Sequence, residues 1–167
     1  MHLLIMSFTA SWGTPLKIVT SICILVVLAS SVISMITRGM LSQLNPSLLA
    51  KTILIPCLFI IFVALFTVRG YVLTSDQLII KRPLWENTVD LNDIVSAEFD
   101  PKAMSNSFRV FGNGGFFSMT GVFWNKKLGF YRIFGTDEKH SVVLKFPNKT
   151  IVVTPDKPQN FVATLPN

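Results

Sequence analysis

The chain has 167 residues, of which 50% are hydrophobic and 14% are charged, and its formal net charge is +6. Soluble domains carry roughly a quarter of charged residues, so this composition argues against an ordinary soluble protein. A nucleic-acid-binding protein is also disfavoured, because such proteins carry a pronounced basic stripe and the positive charge here is divided between two different parts of the chain.

The compositions of the two parts indicate that one lies in lipid and the other in water. Residues 1–68 contain three basic residues and no acidic one, whereas residues 69–167 contain twelve basic and nine acidic residues, so each part has a net charge of +3. Both cysteines, Cys23 and Cys57, lie in the hydrophobic part. We interpret them as buried packing thiols; a disulfide between two helices is the alternative.

Two hydrophobic runs predict membrane-spanning helices within residues 1–69. Residues 18–36 contain no charge over nineteen positions, which is enough to cross about 30 Å of hydrocarbon. Residues 48–68 form the second predicted span if Lys51 extends its amine to the interface. The residues between the runs then form the turn of a helical hairpin. The first run could instead be a cleaved signal peptide, but it is long and a second run follows at once.

A hairpin places both of its ends on one side of the membrane, and basic residues indicate which side. Two basic residues lie in the turn, and four lie at the other end: Lys17, Arg69, Lys81 and Arg82. We therefore expect an integral protein of the cell membrane with two spans and a cytoplasmic domain over residues 70–167.

From residue 70 onward, short β-type runs alternate with turn residues. The runs are 71–74, 77–81, 88–91, 94–99, 108–111, 130–134, 141–146 and 150–154. They predict an antiparallel sandwich or barrel of about seven strands. Asp156 can cap a closing helix that begins near Pro158 and places Phe161, Val162 and Leu165 on one face.

Three pieces of this region resemble a bacterial pleckstrin-homology (PH) domain family. They are FRVFGNGGF at 108–116, GVFWN at 121–125 with Leu128-Gly129, and IVVTPD at 151–156 with Phe161-Val162. The resemblance covers about residues 70–165. It implies a PH-like β-barrel capped by a C-terminal helix, and association with membranes.

The resemblance also raises the question of phosphoinositide binding, which in eukaryotic PH domains uses basic residues around the first two strands. Here Lys81 and Arg82 occupy that region. Residues 69–100 contain three basic and six acidic residues, so we do not transfer this ligand to the chain.

The segment 116–127 is the candidate site for a membrane or a partner. Aromatic side chains precede two lysines in it, which is typical of a wedge that enters the interface while the lysines meet anionic headgroups. The competing interpretation places Phe116, Phe123 and Trp124 in the core. The candidate binding residues are Phe116, Phe117, Phe123, Trp124, Lys126 and Lys127, together with Arg109 and Arg132.

Catalytic, cofactor and metal motifs are not evident in the sequence. Gly112–Gly115 lacks the Lys-Ser/Thr of a phosphate-binding loop, and Asp137–His140 is interpreted as a solvated hairpin turn. The sequence therefore predicts a non-catalytic binding or scaffold module that is held at the inner membrane surface and contacts a protein partner or a second copy. The alternative is a sensor of anionic lipid that docks through residues 116–127, and an enzyme or a transporter subunit is less favoured.

Overall fold

The computed structural model describes residues 5–41 and 46–165 of the chain. The helices are α1 (Thr14–Leu41), α2 (Pro46–Ala64) and α3 (Pro158–Thr164), and a 3-10 turn covers Glu138–His140. The strands are β1 (Met6–Thr9), β2 (Gly70–Leu73), β3 (Gln77–Lys81), β4 (Glu86–Asp90), β5 (Ser96–Phe99), β6 (Phe108–Phe116), β7 (Ser118–Asn125), β8 (Gly129–Gly135), β9 (Val142–Lys145) and β10 (Thr150–Val153).

Among the described residues, one helix is long and apolar enough to cross a membrane. Its span candidate, Thr14–Thr37, has 24 residues, and 11% of its most apolar window is buried. The apolar part of α2, Lys51–Ala64, falls below span length. The expected two-span anchoring is therefore not confirmed, and the structure supports a single candidate span.

The second hydrophobic run is shorter than predicted because its end belongs to the β-domain. Helix α2 stops at Ala64, where i→i+3 bonds tighten the chain: Phe66 N donates to Val63 O at 3.0 Å and Thr67 N to Ala64 O at 3.1 Å. Val68, the last residue of the predicted span, is fully buried in the core of the β-domain. Hydropathy alone does not separate a lipid-facing valine from a core valine.

The β-domain consists of two open sheets, so the expected closed barrel is wrong. The first sheet has the order β1-β2-β3-β4 and the second the order β5-β9-β10-β8-β7-β6. The described residues thus form ten strands rather than about seven. Among the described residues, the sheets pack face to face without shared ladder hydrogen bonds, and each sheet ends in two edge strands.

The strands are not all antiparallel as predicted. Strand β10 pairs with β9 antiparallel but with β8 in parallel, so that Ile151 lies opposite Arg132. Strand β10 therefore lies between β8 and β9, and residues 137–140 do not form the expected hairpin turn. They form a 3-10 connection, in which Asp137 accepts hydrogen bonds from Lys139 N at 3.1 Å and pairs with His140 Nδ1 at 3.1 Å.

Strand β1 was not predicted from the sequence. It precedes α1 and pairs antiparallel with β2, with Thr9 opposite Gly70. Ala10 N continues this pairing by donating to Arg69 O at 3.2 Å. The two helices are consequently inserted between neighbouring strands of one sheet.

The main core lies between the two sheets and is closed by α3. Phe161 is fully buried and packs edge-on against Phe8 of β1 at 5.1 Å between ring centroids. Leu165, just after α3, is also buried and Val162 is partly buried against the same core, which confirms the predicted C-terminal helix and its apolar face. The predicted cap is wrong, because Lys157 is the N-cap residue and Asp156 accepts from Thr9 N at 3.2 Å. A second cluster, on the opposite face of the large sheet, contains Phe123, Tyr131 and Ile133.

Candidate functional site

An open groove of about 720 Å³ lies over the part of the large sheet that the first sheet does not cover. Its floor is the face of β10, β8, β7 and β6, one wall comes from β4 and the turn between β3 and β4, and the end of α2 closes it. The described lining residues are Val63, Phe66, Arg82, Trp85, Asn87, Thr88, Val89, Arg109, Phe111, Gly112, Asn113, Phe116, Thr120, Gly121, Arg132, Phe134, Lys149 and Ile151.

Arg82 is held firmly in the wall of this groove. Its Nε donates to Asn87 Oδ1 at 2.8 Å, and its guanidinium also donates to the carbonyl oxygen of Phe66. The guanidinium carbon lies 5.9 Å from the ring centroid of Trp85 and 5.7 Å from that of Phe134. Partial burial lowers the pKa of Arg82, yet an arginine keeps its charge at neutral pH.

The position of Arg82 follows from the turn after α2. The last carbonyl groups of the helix already accept from backbone amides, since Phe66 N donates to Val63 O and Thr67 N to Ala64 O. The carbonyl of Phe66, just beyond α2, accepts from Arg82 and from Ser118 Oγ at 3.2 Å. Arg82 thereby ties the β-domain to the apolar helix and is fixed at the mouth of the groove.

Three further cations line the groove and are exposed to solvent. They are Arg109, Arg132 and Lys149. Arg132 lies 5.9 Å from the ring centroid of Phe134, and the amine of Lys149 lies 4.8 Å from that of Phe146. None of the lining residues that the structure describes is acidic, and none of the four cations takes part in an ion pair within the described ranges. The groove is therefore electropositive.

The tip of the β6–β7 hairpin joins the groove to both helices. Thr20, buried on α1, donates from Oγ1 to Gly115 O at 3.3 Å and accepts from Phe117 N at 3.0 Å. Phe116 stacks on Phe59 of α2 with 6.5 Å between ring centroids. Phe117 adopts a positive φ of 65° at this turn, which is uncommon for a bulky residue and is supported here by the contacts with Thr20.

Most of the candidate segment 116–127 forms strand β7. Phe116 and Phe117 lie at one end of β7, and Lys126 and Lys127 follow its other end. The eight residues of β7 place these groups about 26 Å apart. Within this segment, the aromatic pair and the lysines therefore do not form one compact wedge.

The remaining predicted residues are distributed between core and surface. Phe123 is 7% exposed and belongs to the second core cluster, and Trp124 is half-buried against Phe108 at 5.2 Å. Lys126 is exposed. Lys127 forms an ion pair with Asp100, and this hydrogen bond lowers the pKa of the Asp100 carboxyl group. Arg109 and Arg132 are the two predicted residues that line the groove with Phe116.

Sequence reasoning missed Arg82, Trp85 and Lys149 as groove residues. The acidic residues counted at 69–100 do not line the groove; Glu86, for example, faces Lys81 at 3.9 Å. A signal for Arg82 was present in the alternation of β3, because Leu78 and Ile80 are both fully buried and Arg82 continues the same face. Lys149 carried no comparable signal, since it lies in a turn.

The two open sheets with a closing helix, and the groove beside them, define a small binding domain that is joined to an apolar helix. Residues 69–167 match the model of the bacterial PH domain, and this match covers more than half of the 167 residues. The chain belongs to the bacterial PH domain family. The comparisons with curated proteins and with solved structures gave no match.

Proposed function

We propose that the protein is a membrane-anchored, non-catalytic binding module that holds the headgroup of an anionic lipid in the groove. One observation carries the proposal: four cations and no described carboxylate line a groove that opens at the end of an apolar helix. Family membership supports the coarser statement that the β-domain is a binding module.

Lipid is favoured over a small free anion because the groove is amphipathic. Val63, Phe66 and Phe116 line the same space as the arginines, so apolar surface continues from the helices to the charged groups. An anionic headgroup and its glycerol backbone match this arrangement, because the negative charge lies next to apolar groups. Each exposed cation near an anionic surface contributes about 1 kcal/mol.

The proposed anchoring is a helical hairpin with two spans. Helix α2 has 19 residues, which corresponds to about 28 Å of helix and approaches the thickness of the hydrocarbon core. The distribution of basic residues around the helices favours a cytoplasmic β-domain, where anionic lipids would be the available ligands.

Trp85 provides a direct reporter of the groove. The chain has three tryptophans, so Trp12→Phe with Trp124→Phe leaves Trp85 alone. Purified full-length protein in neutral detergent is titrated with a short-chain phosphatidylglycerol, with the matching phosphatidylcholine, and with inorganic phosphate. We expect a saturable change in Trp85 emission with phosphatidylglycerol only.

Charge reversals then locate the site. Arg132→Glu with Lys149→Glu should weaken the phosphatidylglycerol response by about tenfold or more, whereas Lys126→Glu with Lys127→Glu should leave it unchanged. If the lysine substitutions weaken the response and the groove substitutions do not, lipid binds at the end of β7 and the proposal of a groove site is wrong. An equal response to inorganic phosphate would identify a free-anion site instead of a lipid site.

A further inference from the structure

The first part of the outer strand of the large sheet, Phe108–Phe111, has the features of an unoccupied docking edge, whereas Gly115 at its end is covered by α1. Strand β6 pairs with β7 alone within the described residues. Phe108, Val110 and Phe111 are 56%, 50% and 76% exposed. Exposed apolar residues on an unpaired strand are normally avoided, since such a strand can pair with another chain.

A bulge gathers these aromatic side chains on one face. Phe108 lies opposite Trp124 and Phe111 opposite Val122, with the register shift between Arg109 and Phe111. Because Trp124 and Val122 share a face of β7, Phe108 and Phe111 share a face despite their odd spacing. Phe130, which is 67% exposed, lies opposite Trp124 on the other side. We call Phe108, Phe111, Trp124 and Phe130 the β6 patch.

The charged residues of β6, β7 and β8 are Arg109 and Arg132, so these three strands carry charge of one sign. Residues 101–136, which include β6, β7 and β8, contain five basic residues and no acidic residue. Two of the other edge strands differ: β4 carries Glu86 and Asp90, and β5 carries Glu98. Carboxylates on an edge discourage pairing with acidic chains, whereas Arg109 is the one charged residue of β6.

We propose that the β6 edge receives an extended, acidic segment of a partner protein, which adds a strand beside β6 and places apolar side chains on the β6 patch. Main-chain hydrogen bonds provide affinity in this mode of recognition, and alternate side chains provide specificity. The acidic residues of the partner would face Arg109 and the neighbouring cations.

Two other occupants fit the edge less well. Lipid tails offer no hydrogen bonds to a free strand edge, and open edges do not occur in hydrocarbon. A second copy that paired β6 with β6 around a two-fold axis would bring together two edges of the same charge, whereas opposite charges pair favourably across strands. An extended acidic partner would supply both main-chain hydrogen bonds to the strand edge and a charge opposite to that of Arg109.

The test uses three fluorescent ten-residue peptides in which valine alternates with glutamate, lysine or serine. Binding to the full-length protein in neutral detergent is measured by fluorescence anisotropy. We expect the glutamate peptide to bind about tenfold more tightly than the lysine peptide, and Phe111→Ser to weaken it by about tenfold. Leu84→Ser is the matched control, because Leu84 is 72% exposed and lies outside the β6 patch; this variant should bind normally.

Three results would overturn the proposal. The first is equal binding of the glutamate and lysine peptides, and the second is an equal effect of Phe111→Ser and Leu84→Ser. The third is disulfide-linked dimers of Val110→Cys in a background with Cys23→Ser and Cys57→Ser, which would identify a second copy as the occupant. Since Phe111 is exposed, loss of peptide binding with an unchanged circular dichroism spectrum is not a folding defect.

Discussion

Tyr71 is the residue that joins the two sheets at the centre of the β-domain. It lies on β2 and is 1% exposed, and its hydroxyl donates to Phe134 O of β8 at 2.6 Å and accepts from Thr154 N at 3.1 Å. Burial raises the pKa of Tyr71 to about 12. The neutral phenol therefore links the two sheets by hydrogen bonds, although no described strand of one sheet pairs with a strand of the other.

Replacing Tyr71 by phenylalanine should destabilise the β-domain by about 1–3 kcal/mol, because a buried carbonyl and a buried amide lose their partner. The free energy of unfolding in neutral detergent, measured by chemical denaturation, tests this. Tyr131→Phe is a useful comparison, since its hydroxyl bonds only Ser107 Oγ at 2.7 Å among the described contacts and should cost less.

The same tyrosine predicts a loss of stability at alkaline pH. Its pKa rises from 10.0 to about 12 on folding, so the unfolded chain loses the proton first. The stabilising contribution is complete below pH 10 and declines as the pH rises towards 12. Tyr71→Phe should flatten the decline of unfolding free energy between pH 9 and about 11; an unchanged slope would contradict the assignment.

Gly112 and Gly121 show a second constraint at the residue scale. They lie opposite each other in the β6–β7 ladder with φ of 109° and 136°, and a Cβ on Gly121 would lie 2.1 Å from Phe111 O. The run of glycines that resembled a phosphate-binding loop thus permits close approach of two strands. It is part of the floor of the groove.

Gly121→Ala should therefore destabilise the protein by about 2 kcal/mol or more, because both its backbone conformation and the available space exclude a methyl group. The control is Gly129→Ala, where φ is also positive at 68° but nothing lies within 4 Å of the added Cβ. Thermal unfolding of both variants separates the steric effect from conformational strain alone.

At the scale of elements, the β6–β7 hairpin tip connects the groove to the helices. Asn113 and Phe116 line the groove, while the next residues bond to Thr20 of α1. One threonine thus supplies both a donor and an acceptor to the tip. Its loss would leave a buried amide and a buried carbonyl without their partner.

Thr20→Val keeps the shape of this side chain and removes both hydrogen bonds. We expect a loss of about 1–2 kcal/mol in unfolding free energy and faster hydrogen exchange at the amide of Phe117. Thr37→Val is the control, because Thr37 is exposed and, among the described contacts, bonds to Ile33 O on its own helix at 2.8 Å. Equal effects of the two variants would show that the tip contact is not stabilising.

The sequence predicted local elements better than their arrangement. Alternation located β2, β3 and the face of α3, because those signals depend only on neighbouring residues. The placement of β10 between β8 and β9 and the pairing of β1 with β2 depend on residues far apart in the chain, which periodicity does not report. Arg109 and Arg132 were identified as candidate binding residues, but Arg82 was set aside because nearby acids in sequence were assumed to be near in space.

At the scale of the whole molecule, the number of spans is open to a direct test. Ser47 lies near the start of α2 and Asp93 lies in the β-domain. In a background with Cys23→Ser and Cys57→Ser, Ser47→Cys and Asp93→Cys should be labelled by a membrane-impermeant maleimide from opposite sides of the membrane. Labelling of both from one side would contradict the two-span hairpin and leave α1 as the single anchor.

The insertion of the helices between β1 and β2 has a mechanical consequence. Both chain connections to the helices leave from adjacent strands, which lie about 4.8 Å apart, and Ala10 N bonds Arg69 O at that point. The β-domain is therefore attached at two neighbouring points instead of one flexible linker. In the proposed membrane-anchored protein, rotation or tilting of the helix pair should turn the groove and the β6 edge together, so we expect a change in bilayer thickness to alter the direction in which both surfaces face.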